Sequence, residues 1–410
     1  MTEPVVVEKS PKKIFGVHPN VFFMGLTSLL TDVSSELIFT LVPLFLSNVL
    51  GVSSTVVGLV GGLTDSIDSL FRIVSGWFSD KIGKRKLLAT LGYSISTVAK
   101  PFMLLANSWG AVIGVRLGDR IGKGVRTSSR DALIADSVEA KDRGRSFGFH
   151  RAMDTSGAVI GLIIAAIIVY LIPGDKFHLT RDAYHWMILV AIVPAILAVV
   201  ILMTLVRERK QVAAGAKAGV AKPAVITPFS NQFKIYLVIL ALFTLGNSSD
   251  FFLILDAQHV DTPLLQVVLM LVLFNVTYAL ISMPMGVLSD KIGRKRVITM
   301  GWLIYGLVYL GFALSTHIWQ LWVLFAVYGI FYGFCEGAAK AFVADMVPAE
   351  RRGTAYGLYN GVVGLMALPA SLIAGIMWDK ISPAATFYFG AGLALLAMVG
   401  LMFLIKERKA

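Results

Sequence analysis

The sequence predicts an all-α polytopic membrane protein of twelve transmembrane helices in two pseudo-symmetric six-helix bundles, and three observations carry that prediction. Of 410 residues, 56% are hydrophobic and only 15% charged, with a mean hydropathy of +0.76, outside the range of soluble globular domains. Apolar stretches of twenty or more residues recur about every thirty positions along the whole chain, and each is long enough to cross roughly 30 Å of hydrocarbon at 1.5 Å per residue. Finally, landmarks of the first half return in the second at a nearly constant separation, the mark of an internal duplication.

Taken in order, the predicted spans begin near residues 19, 53, 86, 109, 146 and 184, then near 231, 263, 296, 318, 353 and 384. Residues 1–18 form an N-terminal tail and 19–206 the first bundle. The tail carries Glu3 and Glu8 and lacks the layout of a signal peptide, so the first span is expected to remain as a helix. Residues 207–230 are rich in Ala, Gly and Lys and read as a linker; the second bundle covers 231–405 and a short tail 406–410.

A net charge of +12 would suggest nucleic acid in a soluble protein, but here the basic residues sort by loop. Lys81–Lys86, Lys141–Arg145, Arg207–Lys222, Lys291–Arg296, Arg351 with Arg352, and Lys406–Lys409 fall in alternate connections. By the positive-inside rule those loops and both termini are cytoplasmic, in a multi-pass protein of the cell inner membrane, and nucleic acid is not a partner. The single cysteine, Cys335, excludes an intramolecular disulfide and reads as a small core residue.

The duplication is visible in "GWFSDKIGKRK" at 76–86, which returns as "GVLSDKIGRKR" at 286–296. A second pair is "ALIADSVEAKDRGRSFG" from Ala132 and "AFVADMVPAERRGTAYG" from Ala341. A G-x-x-x-D-x-x-G-[RK]-[RK] loop between the second and third spans, repeated between the eighth and ninth, resembles the signature of the major facilitator superfamily of secondary transporters. The resemblance implies that superfamily's fold, in which two bundles rock about a central cavity that opens alternately to either side. It also implies a gating role for the motif residues Gly76, Asp80, Gly83 and Arg85 and their counterparts Gly286, Asp290, Gly293 and Arg294. By residue type, Gly76 and Gly83 permit a tight turn between helix ends, Asp80 suits a neighbouring helix N-terminus, and the cations anchor the loop at the inner leaflet.

The fourth span carries the most chemistry. At 100° per residue Arg116, Arg120, Lys123, Arg126 and Arg130 fall on one face, with Asp119 among them, while Gly110, Gly114, Gly118 and Gly122 form a small-residue ridge opposite. Each ionised side chain facing lipid at mid-bilayer costs roughly 2.5–3.5 kcal/mol, so the stripe is expected to face a cavity or acidic partners. Acids are available in the same half: Asp32 and Glu36 in the first span, Asp65 and Asp68 in the second, Asp154 in the fifth. Arg126, Arg130 and Asp131 are expected to snorkel toward the cytoplasm. Arg116 and Arg120 lie deeper and are expected either to ligate substrate and couple protons or to form static ion pairs with Asp32, Glu36 or Asp65.

Arg116 also resembles the fourth-helix arginine that the superfamily's drug:proton antiporters link to proton coupling, and Gly148, Gly157 and Gly161 resemble their fifth-helix glycine pattern, with Leu162 where they carry proline. Those glycines read equally as packing positions. His150 shares that helix with Asp154 and titrates near neutral pH when unperturbed. In the second half Asn247 and Asp250 mirror the acids of the first span, Glu336 stands four residues before Lys340, and all three are candidate cavity residues.

No nucleotide-binding fingerprint, metal-ligand cluster or catalytic triad appears, so no enzymatic activity, cofactor or metal is expected. The expected function is proton-coupled export of a small polar or charged organic solute by a monomer in the lipid bilayer, with protons as the second partner. Proton-coupled uptake of an organic anion is the alternative within transport, and a non-transporting membrane sensor or scaffold the alternative outside it.

Overall fold

The computed structural model describes residues 13–82, 85–138, 143–208, 229–348 and 351–405, and the side chains of these except at 72–82, 128, 143, 144, 352 and 353. The linker and both chain ends expected from the sequence therefore lie largely outside the described residues. Among those described, twelve membrane-spanning segments form two six-helix bundles, and each span starts within three residues of its expected position.

The first span is interrupted. It consists of α1 (Pro19–Phe39), a single turn α2 (Val42–Leu44) and a π-helical turn, Phe45–Val49. Pro43 removes a backbone donor at this break. The second span is α3 (Ser54–Ile82); the third is α4 (Arg85–Ala99), which tightens to a 3₁₀ segment, Lys100–Leu105, where Pro101 enters. Then follow α5 (Trp109–Ser137), α6 (Arg143–Leu171) and α7 (Arg181–Leu205). The seventh span breaks like the first, into α8 (Asn231–Gly246) and α9 (Phe251–His259), across the polar run Asn247–Asp250. The remainder are α10 (Leu264–Ile292), α11 (Arg294–Leu314), α12 (Ile318–Met346), α13 (Arg352–Lys380) and α14 (Pro383–Leu404).

Among the described residues, ten spans are long and apolar enough to cross a membrane by composition alone; α3 and α5 are the two that are not. These two hold Asp65, Asp68 and the basic stripe. They cross the bilayer because their polar faces turn to the protein interior, as an ionised group requires.

Within the first bundle α1 packs on α6 and α7, and α5 on α3 and α4; in the second, α10 packs on α12 and α11 on α12 and α14. The bundles meet along α3 with α13 and α6 with α10. Small residues make the α3–α13 approach possible: a methyl group added at Gly62 would lie 2.9 Å from the Ala367 carbonyl oxygen, and one at Gly58 would collide with the Ser371 carbonyl. Ser66 Oγ donates across the seam to the Gly364 carbonyl at 2.5 Å.

The glycines of the repeated loop divide into two kinds. Gly76 and Gly286 lie inside α3 and α10, not in turns, so the expectation of a turn role at Gly76 does not hold. Gly293 is the turn residue, at φ +98°, a conformation that side-chain-bearing residues rarely adopt. Its counterpart Gly83 lies outside the described residues, as does Lys84, and the side chain of Asp80 is likewise not described.

The duplication shifts register at this loop. Arg85, the first residue of α4, pairs with Asp136 near the end of α5 and reaches the Ala132 carbonyl at 3.4 Å. Arg294, the first residue of α11, pairs with Asp345 at 2.7 Å and donates to the Ala341 carbonyl at 2.6 Å. All three positions are separated by 209, whereas the preceding Gly76 and Gly286 are separated by 210. Two residues separate α3 from α4 but one separates α10 from α11, so the first loop carries one extra residue.

Candidate transport cavity

A cavity of about 460 Å³ lies between the bundles, lined at the breaks of the first and seventh spans by Phe39 with Thr40 and by Asn247 to Phe251. A broken helix supplies unpaired backbone groups and a change of direction at membrane depth, which a ligand site can use. Of the candidate residues read from the sequence, Asp32, Glu36, Asp65, Arg116, Asp119, Arg120, Lys123, Asn247 and Asp250 line it. Asp68, His150, Asp154 and Glu336 do not.

The basic stripe of α5 resolves into unequal members. Arg120 meets Asp65 at 3.6 Å and Asp68 at 3.7 Å, both from α3. Arg116, only 3% exposed, has no carboxylate within ion-pair distance among the described residues; its one hydrogen bond is to Thr64 Oγ1 at 3.4 Å. Instead its guanidinium stands 4.8 Å from the Phe39 ring of α1 and 5.7 Å from the Phe251 ring of α9, within cation–π range of both. Arg116 therefore touches the break of each bundle's first helix.

Arg126 corrects an expectation. It does not snorkel: it is buried, lines the cavity and stacks 4.5 Å from the Tyr93 ring. α5 continues to Ser137, and eleven further residues at 1.5 Å each leave Arg126 roughly 16 Å below the helix end, beyond the reach of its side chain. Arg130 is half-buried and bonds Asp131 and Ser28 Oγ, at 3.0 and 3.2 Å. The glycine ridge is also only half used. A methyl group added at Gly118 or Gly122 would press on Ala99, Gly92 and Ser96, but one at Gly110 would meet only Ser108 Oγ at 4.0 Å and one at Gly114 nothing within 4 Å among the described residues.

Lys100 escaped the sequence reading. It is fully buried at the start of the 3₁₀ segment and donates to Ser34 Oγ at 2.8 Å. Asp119 is the carboxylate that acts on it most strongly, and Asp119 also accepts a hydrogen bond from Ser96. A lone lysine inside "TVAKPFML" was the signal: a charge in an apolar run beside a proline.

The acids of the first span stand apart from the arginines expected to pair with them. Glu36 accepts from Thr40 of its own helix, and Asp32 sits within electrostatic reach of Arg126, Lys123 and Asp154. Behind them, His150 is 4% exposed with Nδ1 3.6 Å from Asp154, so it faces the protein interior. Gly157 and Gly161 pack on the backbone of α1 at Leu29 and Val33, which is a packing role, while a methyl group added at Gly148 would meet nothing within 4 Å among the described residues.

The opposite wall is mostly neutral. Asn247, Ser248, Ser249 and Asn275 face the cavity, and Asp250 is its one carboxylate, bonded by Tyr328 at 2.6 Å and Tyr332 at 3.2 Å. Glu336 lies outside the cavity on the inter-bundle seam. It accepts from Arg151 of α6 at 2.8 Å and from Tyr278, and meets Lys340 at 3.4 Å. Cys335 packs its sulfur against Gly301 of α11. Among the described residues no group of three or more His, Cys, Asp or Glu is arranged to hold a metal ion.

Comparison with known proteins agrees with this architecture. The Major Facilitator Superfamily family model matches residues 24–266 and 247–410. An uncharacterized MFS-type transporter of Methanocaldococcus jannaschii is 40% identical over 393 residues, covering 94% of each chain. The multidrug resistance protein MdtG of Escherichia fergusonii is 31% identical over 142 residues, 33% of this chain and 34% of that one. Among solved structures, the nucleoside transporter NupG superposes with a TM-score of 0.78 over 94% of this chain and all of its own, at 14% identity, a likeness of fold. The chain, with its duplicated loop, its paired six-helix bundles and a charged cavity at their seam, belongs to the major facilitator superfamily of membrane transporters.

Proposed function

We propose that the protein is a proton-coupled secondary transporter that exports a small polar or charged organic solute by alternating access, as a monomer in the cell inner membrane with both termini cytoplasmic. The observation that carries the reading is the cavity itself, where the cations of α5 meet acids from three helices at the seam about which the bundles rock. Such a site serves coupling because a carboxylate that loses its cation when the cavity changes sides gains a proton from water, and releases it when the cation returns. Asp32, with no ion pair among the described residues, and Asp65, shared with Arg120, are the acids proposed to exchange that proton.

The gating residues act at the ends of the same helices. Arg85 with Asp136 and Arg294 with Asp345 fasten neighbouring spans on the side of the basic loops, and the positive-inside rule makes that side cytoplasmic. The seam is sealed on the other side, where α3 and α13 pack closely and the Leu264 amide bonds the Lys176 carbonyl at 2.8 Å. Similarity to MdtG over a third of the chain favours export.

Reconstituted vesicles loaded with a pH-sensitive dye test the reading. A candidate solute is expected to move protons across the membrane in wild-type protein and not in Arg116→Ala. Proton flux that survives the substitution unchanged rejects coupling through α5, and solute uptake in the direction of the proton gradient would establish the organic-anion importer in place of the exporter.

A further inference from the structure

We infer that the cargo carries a carboxylate and that Arg116 holds it; the inference rests on the transporter reading and names the solute. The guanidinium offers five N–H donors, and only one is used, in a long bond to Thr64. Its Nε has no partner although it is completely buried. An unpaired cation at this depth is expensive, and an incoming anion removes the cost by supplying both the counter-charge and the acceptors.

The nearest acids are already engaged. Asp65 and Asp119 act on Arg116 from a distance, but Asp65 is the partner of Arg120 and Asp119 that of Ser96 and Lys100. Of the cavity's other acids, Asp250 accepts from two tyrosine hydroxyls and Glu36 from Thr40, while Arg126 and Lys123 act on Asp32 from a distance. Arg116 is thus a lining cation that no carboxylate contacts among the described residues; Arg126, the other, stands over the Tyr93 ring farther along α5, away from the two helix breaks.

Shape adds a second requirement. Phe39 and Phe251 confine the guanidinium between rings from opposite bundles, an arrangement in which a planar carboxylate binds the exposed edge in bidentate fashion. Phe274 and Tyr332 on the facing wall present further ring surface, which suits a flat apolar body behind the anionic head. Because Phe39 and Phe251 belong to different bundles, a carboxylate seated on Arg116 also touches the hinge between them, where binding and rocking meet.

Isothermal titration of the purified full-length protein with benzoate, benzamide and benzylamine tests this, since the three share size and ring and differ in charge. Benzoate is expected to bind at least tenfold more tightly than benzamide, and benzylamine more weakly than either. Arg116→Gln is expected to abolish the preference for benzoate over benzamide and Arg116→Lys to reduce it, with melting curves recorded for both. If the glutamine variant does not fold, the wild-type ranking decides alone. Tightest binding of benzylamine, equal binding of benzoate and benzamide, an undiminished preference in Arg116→Gln, or no binding of any probe each overturns the carboxylate site. The transporter reading is judged separately by proton flux in vesicles: flux driven by benzylamine without benzoate binding removes the site and keeps the transporter, and benzoate binding without flux of any probe does the reverse.

Discussion

The carboxylate of Asp379, one residue before the end of α13, sits on the N-terminus of α3 and accepts from the Thr55 amide at 2.8 Å. It also accepts from the Ser54 amide at 3.1 Å and the Thr55 hydroxyl at 2.6 Å. The two helices belong to different bundles, so this anion at a helix N-terminus, where free amides and the helix dipole favour it, fastens the seam away from the basic loops. α3 ends in the same tripeptide as α13, Asp80-Lys81-Ile82 against Asp379-Lys380-Ile381.

Removing the Asp379 latch is expected to favour the conformation open on the side away from the basic loops. A charged bond to a helix terminus is worth roughly 1–2 kcal/mol at a partly exposed site, so Asp379→Ala should raise the open-to-sealed ratio by about five- to thirtyfold. Spin labels at Val52 and Ile381 would report it as growth of a longer distance. An unaltered distance distribution would reject the latch.

Arg120 shares its charge between two acids, and the loss of both should exceed the sum of the single losses. Asp65→Asn and Asp68→Asn each leave one carboxylate within reach of the guanidinium. The double variant leaves a largely buried cation unpaired, at a cost of roughly 3–5 kcal/mol. Melting temperatures in detergent for the four proteins test this, and strict additivity would contradict it.

Lys100 and Asp119 should behave as a unit. Lys100→Met strands the Asp119 carboxylate among Ser96 and the remaining cations, for an expected loss of about 2 kcal/mol. Adding Asp119→Asn should recover most of it, because an amide is cheaper to bury than an ion. A double variant no more stable than Lys100→Met would show that the two do not interact.

Arg151 and Glu336 join the bundles at half-exposed positions, so their pairing should matter little to stability, about 1 kcal/mol or less. It should matter more to the cycle. Arg151→Glu alone is expected to slow transport severalfold by placing like charges across the seam, and Arg151→Glu with Glu336→Arg to restore it in part. Equal rates for the single and double variants would assign the pair no role.

The reading of α5 shows where sequence information ends. Charge in an apolar helix must face the interior, and that argument alone directed Arg116, Arg120 and Lys123 to a cavity; the same argument found Asp32, Asp65 and Asp250. The partner of each cation was not legible. Arg116 was expected either to serve substrate and coupling or to pair statically with Asp32, Glu36 or Asp65; the static pair is absent among the described residues, and the guanidinium lies between Phe39 and Phe251 at the two helix breaks. Arg126 was expected at the surface because its depth depends on where α5 ends, which periodicity places only to within a turn or so. Lys100 went unread as a single charge with no partner close in sequence.

Hydropathy and internal repetition are properties of residues taken one after another, and from them the sequence itself determined twelve crossings, two repeated halves and the helix that bears the charge. Which ionised groups end up matched and which is left bare depends on helix rotation, depth and interruption. These are settled only when apolar faces from distant spans pack together, and so the isolation of Arg116, the burial of Lys100 and the hold of Asp379 on α3 belong to the tertiary structure.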